Sequence, residues 1–469
     1  MNGMKFQSVS AVLDDVITDA QLVPLSQAVE VNPKIDRTAL HDDLDVSFVP
    51  MAAVEALSGG IDVSTVRKYA EVKKGYTHFR DGDILFAKVT PCMENGKMAI
   101  ARKLVNGVGF GSTEFHVLRP RAGVDARYIY YFVSSQTFRK EASGHMTGAV
   151  GLRRVPSAYL EEQLIPLPGI EQQREIVAEL EKQFSRLDEA VANLKRVKAN
   201  LKRYKASVLK DAVEGRLVST EAELARRGGR SFETGEQLLQ RILETRRSEW
   251  KGKGKYKERL DSSTASLSSV PEGWVAATTG QLCDCIVPSR DKPKSFSGVT
   301  PWLTLPDFEE DKILISSSRV GLGLSESEIA GSKAKVVPQG SVVMSCVGRF
   351  GITAVLGEDA VINQQLHAFL PNAMVMPKYL AYALRTRVNE MNTVSTATTI
   401  AYLNKENCNN VRIALPPMAE QFRIVAEVEA RLSVAVGTEA ASHVALGKAK
   451  ALTQVILKTA FSSSNLNQG

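Results

Sequence analysis

Apolar residues recur every seven positions along one long stretch of the chain. Leu180, Leu187, Leu194, Leu201 and Val208 keep that spacing, with Val177, Phe184 and Val191 at the partner position. A period of 3.5 predicts a coiled-coil helix. Lys198 and Lys205 interrupt the seam late. A second helix is expected 248 residues on, where Val425, Val428, Leu432, Ala435, Ser442, Ala449 and Ile456 hold the matching face. The segments 167–215 and 415–463 align without gaps, with 14 identities in 49 positions. One seam is small where the other is large, so Leu side chains can lie against Ala and Ser. The expectation is an antiparallel pair, each helix about 65 Å long at 1.5 Å per residue, with a globular region at either end. The alternative is that each helix packs on its own region or on another protein.

Upstream of each helix the repeat is looser but ordered. Gly82-Asp83-Ile84-Leu85-Phe86 parallels Gly340-Ser341-Val342-Val343-Met344, and His116, Pro120 and Tyr128 parallel His367, Pro371 and Tyr379. Short apolar runs bounded by Gly or Pro predict strands at 84–89, 115–118, 342–347 and 366–370. Residues 126–140 and 377–390 read as helices, as does 235–250 in the polar connector. The predicted class is α+β: two mixed α/β domains separated by two long antiparallel coiled-coil helices in a pseudo-twofold repeat. The expected divisions are an N-terminal extension (1–21), a first domain (22–166), a first spacer helix (167–217) and a basic connector (218–270). A second domain (271–414), a second spacer helix (415–461) and a tail (462–469) follow.

Composition narrows the class. Of 469 residues, 44% are hydrophobic and 24% charged, which excludes wholesale disorder and collagen. No run approaches the roughly 18 apolar residues of a membrane span. The first 20 residues lack the apolar core of a signal peptide. Five cysteines, an odd number without an export signal, point to the reducing cytoplasm. The net charge of +7 hides a concentration: residues 195–257 carry +10 and the remainder −3. Such a segment suits a polyanion, because each neutralised phosphate releases counterions; it equally suits a solvated helix face.

A catalytic kit is not legible. Gly96-Lys97 lacks the upstream glycine of a phosphate loop. No GxGxxG follows a strand, and no Asn-Pro-Pro-aromatic tetrapeptide is present. Asp307 lies only three residues before Glu310, too close for a nuclease site built on separate strands. Cys283 and Cys285 have no second pair, so buried thiols are expected and no metal. His116 and His367, at equivalent positions, suggest a structural or contact role.

The motifs that remain are specific in their order. The first unit holds GDILFAKVTPCMENGK from Gly82, GSTEFHVLRP from Gly111, Met146-Thr147-Gly148 and Arg153-Arg154-Val155-Pro156. The helices open with LPGIEQQREIV at Leu167 and LPPMAEQFRIV at Leu415, and Pro271-Glu272-Gly273-Trp274 opens the second unit. Together these resemble the specificity subunits of type I restriction–modification systems, from about residue 22 to 461. Two departures stand out: Gly169 replaces the second Pro of the helix opening, and Ala460-Phe461-Ser462 replaces the Glu214-Gly215-Arg216-Leu217 ending.

The resemblance implies a non-catalytic, sequence-specific binder of double-stranded DNA with two target recognition domains. Each would read half of a bipartite site and so direct adenine methylation and restriction by partner subunits. Methyltransferase (M) subunits would dock on the helices, and restriction/motor (R) subunits would translocate and cleave. S-adenosylmethionine, ATP and Mg would belong to those partners, with no cofactor in this chain, and the target adenine would flip into a partner's pocket. Base edges are read by Arg, Lys, Asn and Gln, and phosphates by Lys, Arg, Ser and Thr. The DNA-contact candidates are therefore Lys88, Thr90, Asn95, Lys97, Ser112, Thr113, Arg153 and Arg154 in the first unit. Ser345, Arg349, Asn363, Gln364 and Gln365 are their counterparts in the second. A protein-interaction scaffold without DNA readout is the competing function. An enzyme with an unrecognised site is a third.

Overall fold

The computed structural model describes residues 20–36, 40–149, 151–251, 254–256, 258, 270–288, 292–395 and 401–461. The N-terminal extension up to residue 19, much of the connector's Lys- and Ser-rich end and the tail lie outside them. The chain divides into two compact units, residues 1–195 with 443–469 and residues 196–442.

In the first unit, Gln21–Pro24 pairs antiparallel with Leu164–Leu167, closing the domain just before the long helix Ile170–Val213. Two four-stranded sheets fill the interval. In one, Ile84–Ala87 lies between Phe115–Pro120 and Met98–Ile100, with Val29–Val31 at the edge. In the other, Asp45–Val49 runs parallel to Val108–Gly111 and is flanked by Val66–Lys68, while Thr77–Arg80 borders the far strand. Ile84, Leu85, Phe86 and Ala87 are all fully buried, as expected of a strand covered on both faces. Gly82, at φ 91°, supplies the left-handed turn into it, a conformation that a Cβ would strain.

The second unit repeats the plan. Val275–Thr278 pairs with Arg412–Leu415 ahead of the second long helix, Met418–Ala460. Val342–Ser345 occupies the place of Ile84–Ala87, between Leu366–Phe369 and Thr353–Leu356. Gly340, at φ 81°, makes the equivalent turn. Thr300–Leu303 runs parallel to Ala360–Ile362, as Asp45–Val49 does to Val108–Gly111. The departure is a fifth strand, Leu314–Ile315, added parallel to Thr353–Leu356.

Matching side chains lock both units. The buried hydroxyl of Tyr128 donates to the Pro166 carbonyl at 2.7 Å, and that of Tyr379 donates to Ala414 at 2.6 Å. The shared glutamine of the helix openings acts as a clamp. Gln173 accepts from Asp125 N–H and donates to the Pro168 carbonyl, at 2.9 and 2.8 Å. Gln421 accepts from Met376 N–H and donates to Pro416, at 2.8 and 3.1 Å.

Each expected domain helix is broken in two. Ala126–Ser134 and Gln136–Gly144 meet at Ser135, which is extended at φ −63°, ψ 146°. Its hydroxyl caps the second helix by accepting from Phe138 N–H, the local competition with helix that serine offers. Pro377–Arg385 and Val388–Val394 divide similarly.

Residues 218–251 of the connector hold two helices where the sequence predicts one. Capping boxes at Thr220 and Thr234 start the helices Glu221–Gly228 and Gly235–Ser248, and Leu238 and Ile242 enter the second unit's core. Trp274 donates its indole N–H to Glu420 at 2.9 Å, and Glu221 N–H donates to the other oxygen of that carboxylate at 2.8 Å.

The seam residues of the long helices enter the unit cores. Val177 and Leu180 are buried with Ile456, Leu457 and Ala460, with Phe184 against them, in the first unit. Val208 and Ala212 are buried with Val425 and Val428, with Leu432 against them, in the second. Leu187, Leu194 and Leu201 are half-buried, whereas Ala435 and Ala449 are buried. Lys205 does not interrupt the seam idly: its ammonium holds Asp311 and Glu439 at 2.6 and 2.7 Å. Phe461, at the divergent helix ending, packs edge-on against Tyr128 and Phe132 in the first unit. Among the described residues no helix is long and apolar enough to cross a membrane.

Candidate nucleic-acid interface

In the first unit, main-chain hydrogen bonds gather most of the candidate residues at one edge of the sheet containing Ile84–Ala87. Lys88 N–H donates to the Glu114 carbonyl, and Val155 N–H donates to that of Lys88, both at 2.9 Å. Thr90 N–H donates to Arg153 at 2.9 Å, and Ser112 N–H to Val49 at 3.2 Å. Segments 88–90, 112–114 and 153–155 thereby converge. Residues 91–97 fold back as a compact turn, with Met93 N–H donating to Val89 and Asn95 N–H to Pro91. Thr113, Asn95 and Arg154 are exposed there, while Lys88, Thr90, Ser112 and Arg153 are half-buried.

Several of these side chains are already engaged. Arg154 holds Glu114 through two hydrogen bonds of 2.9 and 2.6 Å, which keeps that carboxyl below its usual range. Burial pulls the Lys88 ammonium down, with Glu114 opposing and Arg154 adding to the effect. Arg153 approaches Glu94 at 3.6 Å. Lys97 turns its ammonium to the carbonyls of Met51 and Val54, at 3.1 and 3.0 Å, so it fastens one segment to the next. His116 lies beneath, with Nε2 2.8 Å from the Val155 carbonyl and Nδ1 2.9 Å from the Asn32 amide. Burial lowers its pKa, which favours the neutral ring.

Arg139, buried and absent from the sequence reading, braces this edge. It donates to the carbonyls of Glu94 and Ser134 at 2.5 and 3.1 Å. A lone arginine among Phe138 and Ala142 on a helix was the available signal. Asp83, from the same motif as Lys88, is inside the fold and paired bidentately with Arg119 at 2.8 and 2.7 Å.

The same edge exists in the second unit with different residues. Leu403 N–H donates to Cys346 at 2.9 Å, Gly348 N–H to Ala401 at 2.8 Å and Cys346 N–H to Gln365 at 2.8 Å. Segments 346–349, 363–365 and 401–403 are thus brought together. Arg349 and Gln364 are exposed, and Arg349 pairs with Glu310. Asn363 donates its amide to Gln365 at 3.3 Å. Ser345 is placed differently from the expectation. It is fully buried, its hydroxyl donating to Arg349 O at 2.6 Å and accepting from Ile352 N–H at 3.1 Å. It closes the turn 346–352, and its side chain does not reach a surface.

Below this second edge lie Cys346, His367 and Cys408, all fully buried. Their sulfurs are 3.6 Å apart, and His367 Nδ1 is 3.2 Å from Cys408 Sγ. Cys283 and Cys285 are buried elsewhere in the core, and burial pushes the Cys283 thiol up to about 12.

The family described as type I restriction modification DNA specificity domain matches residues 19–203 and again 271–430. The chain belongs to the type I restriction–modification specificity subunits. Two curated Escherichia coli relatives bracket the similarity. The EcoAI specificity subunit is 39% identical over 166 residues, covering 35% of this chain and 28% of that subunit. The EcoEI specificity subunit is 26% identical over 87% of this chain and 76% of its own length. The fold recurs in the HsdS subunit from Thermoanaerobacter tengcongensis (TM-score 0.60, 21% identity, 95% of this chain and 97% of that one). It recurs also in a chain solved in work on complex assembly and conformational transition of the type I R-M system (TM-score 0.62, 22% identity, 94% and 97%). For a specificity subunit, the duplicated match coincides with the duplicated sheet edge.

Proposed function

We propose that this specificity subunit reads a bipartite sequence in double-stranded DNA, one half-site with each unit, and performs no chemistry itself. The observation that carries the reading is that both units build the same polar edge from equivalent segments but furnish it with different side chains. One presents Thr90, Asn95, Thr113 and Arg154; the other presents Arg349, Asn363, Gln364 and Gln365. A shared frame with unlike reading groups is what two different half-sites require.

In this reading the two long helices pair antiparallel as a coiled-coil spacer. The burial of Val177 and Leu180 with Ile456, and of Val208 with Val425 and Val428, supports that pairing. Methyltransferase subunits dock on the helices and modify an adenine in each half-site, with restriction/motor subunits acting on unmodified DNA. S-adenosylmethionine, ATP and Mg are held by those partners. The working place is the cytoplasm.

The test is the affinity of the assembled chain and methyltransferase for DNA duplexes, measured as salt is raised. A target-dependent affinity that falls steeply with log salt is expected. Equal, salt-insensitive affinity for all duplexes would favour the scaffold.

A further inference from the structure

The buried cluster in the second unit has no counterpart in the first. Leu403 N–H on Cys346 O and Val155 N–H on Lys88 O are the same hydrogen bond in the two units. Cys346 therefore corresponds to Lys88, His367 to His116, and Cys408, on the short helix Lys405–Asn409, to Leu160 on Ser157–Glu162. The first unit builds the common sheet without either thiol, so the fold does not require them.

The three side chains converge as a ligand set would. One donor atom from each lies within 4.8 Å of the others. Tetrahedral zinc, with bonds of about 2.3 Å to sulfur and 2.0–2.1 Å to nitrogen, sets S···S near 3.8 Å and S···N near 3.6 Å. The observed 3.6 and 3.2 Å reach those values with shifts of a few tenths of an ångström. Among the described residues His367 Nε2 is buried without a hydrogen-bond partner, and it is Nδ1, facing Cys408, that is placed to bind the ion. We propose that Cys346, His367 and Cys408 form a zinc site beneath the second unit's recognition edge.

Charge favours this assignment. Two thiolates and a neutral imidazole around a divalent ion sum to zero, which removes the main cost of burying a metal. Binding releases two thiol protons. The carbonyls of Met344 and Leu403, 3.4 and 3.7 Å from the two sulfurs, offer oxygen for the fourth position. The ion would tie together the turn after Val342–Ser345, the strand Leu366–Phe369 and the segment 401–409. Those are three of the pieces that make the edge.

The test is metal content of the purified full-length chain, kept reduced, by mass spectrometry of the metal. Near-stoichiometric zinc is expected in the native chain and in Cys283→Ser, whose thiol is buried outside the cluster. It should fall to background in Cys346→Ser and Cys408→Ser. Should those variants fail to fold, the native chain stripped by chelator and titrated with cobalt(II) gives a second readout. A thiolate-to-cobalt charge-transfer band saturating at one equivalent is expected. Background zinc and no cobalt band in a folded, reduced native chain would overturn the proposal. So would copper in place of zinc, or a Cys346–Cys408 disulfide located by peptide mapping of the chain purified without reductant.

Discussion

Replacing Glu420 by Gln tests the joint between the connector and the second unit. The wild-type carboxylate is fully buried and accepts two N–H donors, from the Trp274 indole at 2.9 Å and the Glu221 main chain at 2.8 Å. An amide of the same shape has one oxygen, so its NH₂ must face one of those donors. A buried donor without a partner costs about 1–3 kcal/mol. For a unit of this size that is roughly 2–4 °C in Tm per kcal/mol. Trp274→Phe removes one donor, and a double-mutant cycle should show coupling of the two substitutions. The pH dependence has a defined sign. Burial raises the Glu420 pKa above 4.5 against the opposing pull of its two donors and Arg423. Folding then binds a proton that the unfolded chain has released, so this group's contribution is full below the unfolded value and is lost as pH rises through the folded one. Glu420→Gln should therefore abolish this group's loss of stability as pH rises above 4.5, while its hydrogen-bond cost is read where the parent's carboxylate is ionised. The assay is urea unfolding followed by Trp fluorescence across that range. A variant as stable as the parent at every pH would refute the two-donor account.

Tyr128→Phe and Tyr379→Phe each delete a hydroxyl buried on a carbonyl and should each lower stability by about 1–3 kcal/mol, read in denaturant titrations. Gln364→Ala and Asn95→Ala, at exposed edge positions, should weaken target binding by about 1–3 kcal/mol each in fluorescence anisotropy, while stability stays within about 0.5 kcal/mol. Ser345→Ala should do the reverse, because its hydroxyl closes an internal turn; a pure loss of target affinity there would contradict the assignment. Burial lowers the His116 pKa below 6.5, so its contribution is complete above 6.5 and is lost as pH falls through the folded value. Acid unfolding of the first unit should accordingly be shallower in His116→Asn, measured by circular dichroism.

Much of the frame is written in local pattern. Heptad leucines announce the long helices, and the ungapped repeat at an offset of 248 announces two units of one plan. Gly82 and Gly340 mark the turns into the central strands, because their backbone geometry tolerates little else. Contacts formed by distant segments are not so marked. The parallel pairing of Asp45–Val49 with Val108–Gly111 joins residues 62 positions apart, with nothing local to select the register. Ser135 breaks a helix whose apolar spacing continues across it, since a capping hydroxyl outweighs a periodicity that only describes faces. Lys97 and Ser345 have the chemistry of DNA-binding residues, yet nearby main-chain groups consume it. Cys346 and Cys408 stand 62 residues apart, beyond any metal-ligand spacing readable from sequence, and only the sheet and the short helix bring them together.

Two unlike edges should specify two half-sites. Co-expressing the chain with its methyltransferase partner in a host free of adenine methylation, and mapping modified adenines genome-wide, tests it most directly. The native chain should yield two short half-sites separated by a gap of fixed length, and a chain lacking residues 271–469 should lose that bipartite motif. The same gapped motif surviving the deletion, or scattered or absent methylation with the methyltransferase folded and bound, would contradict the account.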